Sequence, residues 1–207
     1  MTRNLNDKGF IIVLSSPSGG GKSSLCKALL KADNKLNLSI SATTRKPRIG
    51  EIEAIDYHFK NMQEFDQLIA QNMFVEYVKI YNNYYGTLKE SLEKTLENGM
   101  DVLFDIDWQG ARSIKSHDPE AITIFILPPS LDVLRDRLKS RGQDDACTIE
   151  LRMNEAMLEM NHAEEYDYVV VNDKFENSLM EIRSIITTER IKRSQFHKLS
   201  MFFQQTE

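Results

Sequence analysis

Apolar and polar positions alternate with two different periods along the chain. FIIVLS (10–15), VLFDID (102–107), AITIFIL (121–127) and YVVVN (168–172) are nearly unbroken apolar runs bounded by polar or turn residues, which predicts strands buried on both faces. Leucine, isoleucine and alanine at helical spacing predict helices over 22–32, 62–71, 88–97, 131–139, 148–163 and 175–198. LNLSIS (36–41) alternates and reads as a strand, and 74–86, rich in aromatic and β-branched residues with Asn82-Asn83 as a turn, reads as a hairpin. Pro47 and Gly50 break 43–51 into a loop.

Strands that alternate with helices predict an α/β fold, a parallel sheet flanked by helices on both faces. The strand-rich span 36–88 interrupts that rhythm and is expected to form a lobe inserted on the core. The expected organisation is a core of 9–35, 89–130 and 164–190, the lobe 36–88, a helical lid 131–163, and a tail 191–207 that packs either on the core or on a partner subunit. No internal repeat is visible.

Composition changes this picture little. The chain is 41% hydrophobic and 28% charged with a formal net charge of −5, ordinary for a soluble globular protein and unlike a general nucleic-acid or membrane-surface binder. No apolar stretch approaches the ~20 residues that span a bilayer. The two cysteines, Cys26 and Cys147, suggest a reducing cytoplasm rather than a disulfide framework.

The chemistry begins at SPSGGGKSS (16–24), between a buried strand and a helix. Backbone N–H groups of such a glycine-rich turn can converge on a phosphate, and the helix N-terminus adds about half a positive charge there. Ser16, Pro17, Ser18, Gly19, Gly20, Gly21, Lys22 and Ser23 form the candidate ATP cradle; Lys22 would reach the β/γ oxygens and the Ser23 hydroxyl would ligate Mg2+. The fold expectation becomes a P-loop NTPase-type parallel sheet.

Other candidates are less specific alone. Arg45 and Arg48, with Tyr57 and Tyr85, offer donors for a phosphate monoester, though a solvated basic loop over packed tyrosines would look the same. Glu76, in the apolar stretch FVEYV, could accept both edge donors of guanine, or could face solvent. Asp105 and Asp107 point the same way if the strand persists; one would hold Mg2+ through water and the other the acceptor nucleotide, unless they only cap the next helix. Arg137, Arg141 and Arg152 lie in a helix–loop–helix where they could clamp phosphates, or could pair with nearby glutamates; 142–148 is expected to be mobile.

As an ordered set, SPSGGGKSS, SATTRKPRIGE, DYHF, FVEY, NNYYGT, DIDWQG, RLKSRG and VVVND resemble guanylate kinases of bacterial type over about 9–190. The resemblance implies transfer of the ATP γ-phosphate to GMP, and to dGMP, with Mg2+. It implies a GMP pocket of Ser41, Arg45, Arg48, Tyr57 and Tyr85, with Glu76, Thr87 and Asp107 reading guanine. It implies catalysis by Lys22 and Arg45 with the lid arginines Arg137, Arg141 and Arg152, and Asn172 near the ATP base. Ser16, Ala54 and Asn82 stand where such enzymes often carry glycine, or alanine at the first, which leaves loop conformation open there. A scaffold module that has lost catalysis, or a P-loop kinase for another phosphorylated acceptor, are the competing readings. The intact Lys22-Ser23 pair speaks against the first, Glu76 with YYGT against the second.

Overall fold

The computed structural model describes residues 8–80, 82–140 and 145–204, without the side chains of 80, 146 and 195–204. The amino-terminal half contains β1 (Ile11–Ser15), α1 (Lys22–Ala32), β2 (Leu36–Leu38), β3 (Ala42–Thr43), β4 (His58–Phe59), α2 (Met62–Ala70), β5 (Phe74–Ile80), β6 (Asn83–Leu88) and α3 (Lys89–Glu97). The remainder contains β7 (Asp101–Asp105), α4 (Trp108–His117), β8 (Ile122–Leu127), α5 (Leu131–Ser140), α6 (Ala146–Met160), β9 (Tyr168–Val171) and α7 (Phe175–Gln204).

Five parallel strands form the central sheet in the order β2-β7-β1-β8-β9. Successive side chains of a strand alternate faces, and here both faces are dry. Ile12 and Leu14 of β1 pack with Leu25, Leu29, Ile182 and Ile186 of α1 and α7. Ile11 and Val13 pack with Leu92, Leu96 and Ile114 of α3 and α4. That two-sided burial is why the run is apolar from Phe10 to Leu14. The parallel register sets Leu14 opposite Asp105, so the glycine loop after β1 and the carboxylates after β7 leave the sheet at the same, carboxyl end.

The second sheet, β4-β3-β6-β5, is mixed: β3 pairs β4 in parallel, while β3–β6 and the β5–β6 hairpin are antiparallel. Phe65 of α2 stacks on Phe74, centroids 4.4 Å apart, and Tyr84, 5.3 Å, beneath this sheet. A third apolar cluster, Leu134, Leu138, Ile149, Met153 and Ala156, joins α5 to α6.

Several expectations change. The strand expected over 36–41 ends at Leu38: β2 pairs with β7 in the central sheet, the chain passes between sheets at 39–41, and β3, which follows the expected span, belongs to the second sheet, so the inserted part begins later than residue 36. The strand expected to 107 stops at Asp105, because Asp107 turns to accept the Gly110 N–H at 2.9 Å and starts α4, serving as the cap considered for the next helix, whose bounds the spacing did not show. Asp105 and Asp107 therefore do not share a strand face. The tail is not a separate unit, since α7 continues to Gln204. Arg190 joins Asp33 (2.6 Å) and Asp101 (2.7 Å), and Arg193 lies over the Phe10 ring at 4.6 Å, so the helix rests on the core at least that far.

Ala54 adopts φ 61°, the left-handed region, in an exposed turn closed by its N–H to the Tyr57 carbonyl (2.9 Å). A side chain there costs roughly 1–2 kcal/mol, partly offset by the greater unfolded-chain entropy of glycine. Ala54→Gly is expected to stabilise the protein by about 0.5–1 kcal/mol in denaturant melts; a lowered midpoint would mean that this turn does not rest in the left-handed well.

Candidate functional site

The glycine loop is shaped by two left-handed residues, Gly19 (φ 89°) and Gly21 (φ 97°). A Cβ on Gly21 would also lie 2.4 Å from Asn172 Nδ2. Ser16 takes no left-handed φ, so its serine needs no glycine substitute. Gly21 is the N-cap of α1 and offers no side-chain oxygen, leaving the first-turn N–H groups open to an anion. Lys22 Nζ donates to the Ile106 carbonyl (2.8 Å) and pairs with Asp105 Oδ1 (2.9 Å), while the Ser23 hydroxyl donates to Asp105 Oδ2 (3.3 Å). Cys26 behind the loop is an inert core residue, its thiol pushed up to about 12, mainly by burial.

Asn172, expected beside the ATP base, is committed elsewhere. Its Nδ2 donates to the Gly20 carbonyl (2.8 Å), and its own carbonyl accepts from Arg137 Nη2 (2.9 Å). The end of β9 thus braces the glycine loop and the lid at one residue. Arg137 Nη1 is buried with no hydrogen-bond partner among the described residues, a donor open to an anion. Arg152 lies half-buried on α6. Arg141 and residues 142–144 of the stretch expected to be mobile lie outside the described residues, while 145–148 form the N-cap and first turn of α6.

On the second sheet, the loop after β3 carries Arg45 and Arg48. The Thr43 hydroxyl donates to the Tyr84 carbonyl (2.9 Å) and accepts the Arg45 N–H (3.1 Å), pinning the loop to β6. Arg45 lies over the Tyr57 ring at 5.2 Å, and Tyr57 meets Tyr85 edge-on at 6.1 Å. Arg48 is exposed on the same loop, and Ser41 accepts the His58 N–H through its carbonyl (2.9 Å). A carboxylate stands among these donors. Glu51 grips Arg45 with both oxygens (2.7 and 3.0 Å) and also accepts the Arg48 N–H (2.7 Å). This bidentate bond holds the Arg45 guanidinium firmly charged and fixes its plane.

Glu76 does not face solvent. It is 5% exposed, opposite Thr87 in the hairpin, where the ladder shifts register between Phe74 and Glu76. Burial pushes its carboxyl up to about 7; hydrogen bonding from Thr87, its ladder partner, opposes the rise, and Asp107 adds to it. Helix α4 packs on β5, which brings Asp107 within electrostatic reach of Glu76. Asp107 and Lys22 in turn both act on Glu159, at the end of α6, whose carboxylate faces the Ser18 N–H and is raised by burial. The glycine loop, the lid and the buried carboxylate of the second sheet are thereby linked through one set of charges. Glu51 closes the SATTRKPRIGE motif and Glu159 lies in the helix expected over 148–163, but nothing in their spacing marked the first as the partner of Arg45 or the second as a neighbour of the glycine loop.

A family model described as Guanylate kinase matches residues 8–189. The chain belongs to the guanylate kinase family. The guanylate kinase of Rickettsia felis is 60% identical over 188 residues, covering 91% of this chain and 98% of that protein. That of Shewanella oneidensis is 50% identical over 194 residues, covering 92% and 93%. The crystal structure of guanylate kinase from Anaplasma phagocytophilum superposes with a TM-score of 0.69 at 34% identity, covering 89% of this chain and 88% of that one. Membership accounts for the ordered motifs, and Arg190, the arginine that ties α7 to the core, lies just past the matched span.

Proposed function

We propose that the protein transfers the γ-phosphate of ATP to GMP, and to dGMP, giving ADP and the guanosine diphosphate. The observation that carries this reading is the buried carboxylate of Glu76, opposite Thr87 and within electrostatic reach of Asp107, in a protein whose glycine loop leads into a helix N-terminus with no side-chain cap. Guanine presents N1–H and N2–H2 on one edge, and an ionised carboxylate accepts both. A buried hydrogen-bonding site of this kind rejects a base that leaves it unpaired.

In this scheme Ser16 to Ser23 hold the ATP phosphates through backbone N–H groups, and Lys22 leaves Asp105 for the γ-phosphate. Ser41, Arg45, Arg48, Tyr57 and Tyr85 hold the GMP phosphate, with Glu51 orienting Arg45. One GMP phosphate oxygen forms the new P–O bond as the bond to the ADP β-phosphate oxygen breaks. The acceptor is already ionised, so positioning and charge stabilisation are the protein's main tasks. Arg137 and Arg152, with Arg141, serve the transferring phosphoryl group from the lid, whose closure excludes water.

The donor set fits Mg2+: Ser23 Oγ and Asp105 Oδ2 are hard oxygens 3.3 Å apart, and both Asp105 oxygens are held by neighbours that ATP would displace. Mg2+ would supply charge neutralisation on the ATP phosphates, held directly by Ser23 and through water by Asp105. Among the described residues no helix is long and apolar enough to cross a membrane, and the free cysteines suit a cytoplasmic location.

ADP release measured with GMP, dGMP, AMP, CMP and UMP as acceptors tests the proposal. Turnover confined to GMP and dGMP is expected. Silence with every acceptor would favour a scaffold module, and turnover only with another acceptor would replace the guanine assignment.

A further inference from the structure

Ser39 follows β2 at the point where the chain crosses from the central sheet to the second sheet. Its N–H donates to the Leu103 carbonyl at 2.8 Å, so its backbone is held by β7 of the central sheet. Its hydroxyl lies 3.2 Å from Thr87 Oγ1 on β6. Thr87 is 2% exposed and sits directly opposite Glu76 in the β5–β6 ladder, where it counters the rise of the Glu76 carboxyl. Behind Ser39 and Thr87 is a cavity of about 340 Å³, also lined by Asn37, Ser91 and Thr95. Packing alone therefore does not hold the Thr87 hydroxyl in one orientation.

A threonine hydroxyl has one proton to give. If it went to Ser39, Thr87 would turn a lone pair on a buried carboxylate, which is repulsive. If Ser39 donates instead, Thr87 accepts on one side and donates to Glu76 on the other, and each hydroxyl bond polarises the next. We propose that Ser39 is a positioning residue for base selection, whose hydroxyl fixes the donor direction of Thr87 and so presents the Glu76 carboxylate as an acceptor to the incoming base. The role rests on the GMP-kinase reading of the site. Because Ser39 is anchored on the central sheet, it also ties the base-reading carboxylate to the frame that carries the phosphate loop.

The test compares Ser39→Ala and Ser39→Thr with the wild-type chain, using GMP and AMP as acceptors and calorimetric GMP binding as a readout independent of turnover. One neutral hydrogen bond corresponds to roughly a fivefold effect. Ser39→Ala is expected to raise the KM and Kd for GMP about fivefold and to lower the GMP-over-AMP preference by a similar factor. Its kcat and KM for ATP should stay at wild-type values, and Ser39→Thr should restore GMP binding. Unchanged GMP binding and preference in Ser39→Ala would overturn the role. So would a loss shared equally by GMP, AMP and ATP, or a loss that Ser39→Thr fails to repair, since either outcome marks general packing. A wild-type chain that neither binds nor phosphorylates GMP would sink the functional reading itself, whereas a selective wild type with an indifferent Ser39→Ala would sink only Ser39.

Discussion

Lys22→Ala is expected to lower kcat by about 10³-fold while leaving GMP affinity within about twofold of wild type. The amine is held at the strand end by the Ile106 carbonyl (2.8 Å) and Asp105 (2.9 Å), beside the open N–H groups of α1. From there a short swing carries a full positive charge to the oxygens that gain charge as the phosphoryl group moves. Removing one neutral donor from such a site typically costs 10²–10³ in kcat, and a cation contributes at least as much. The loss should fall on turnover rather than on GMP binding, because the proposed acceptor site, the loop after β3 with Glu76, lies on the other sheet. Steady-state kcat and calorimetric GMP binding on the same preparation separate the two. Turnover within tenfold of wild type would remove Lys22 from the reacting phosphate. A parallel collapse of GMP affinity would show instead that the substitution, which strips Asp105 of its cation, had disturbed the whole cleft.

What could be read without coordinates followed from how each feature is encoded. The central strands were legible because both faces are buried, so the runs around Ile11–Ser15 and Ile122–Leu127 are almost continuously apolar. The phosphate loop was legible because positive φ at Gly19 and Gly21 demands glycine, and its flanks were unmistakable. Helix α4 escaped because it buries only Gly110, Ala111 and Ile114, too few and too small to show a period against WQGARSIKSH. The end of β2 at Leu38 escaped because LNLSIS alternates throughout, and only tertiary pairing stops the strand there. In the candidate site the residue types were readable, but their commitments were not. Whether Glu76 faces core or solvent depends on a register shift at the start of β5, and the hold of Glu51 on Arg45 spans an aperiodic loop. Asn172 escaped for the same reason: its partner, the Gly20 carbonyl, is 152 residues away in sequence.

Preference for GMP over AMP is expected to fall about tenfold between pH 8 and pH 6. The Glu76 carboxyl is pushed up to about 7, first by burial and further by Asp107, against the pull of Thr87. The sign follows from the base edge. Guanine offers two donors and requires the ionised carboxylate, which dominates above pH 7; a raised pKa therefore means that GMP binding weakens as pH falls through about 7. A group with that pKa is about nine-tenths ionised at pH 8 and one-tenth at pH 6. The protonated carboxyl offers one donor and one acceptor, the pattern that suits the N1 and N6–H2 edge of adenine, so AMP should gain as GMP loses. The acceptor phosphate also titrates, near pH 6, but it does so alike in both nucleotides, and the ratio of their kcat/KM values cancels it. Glu76→Gln fixes the donor–acceptor pattern of the protonated state at every pH. Its GMP-over-AMP preference should drop by about 10²-fold at pH 8, since each hydrogen bond to a buried charge contributes about 1.5–3 kcal/mol, and its pH dependence should flatten. A wild-type ratio that stays constant from pH 8 to pH 6 would mean that Glu76 either titrates outside this window or does not meet the base. A Glu76→Gln protein that keeps full preference for GMP would leave only the second.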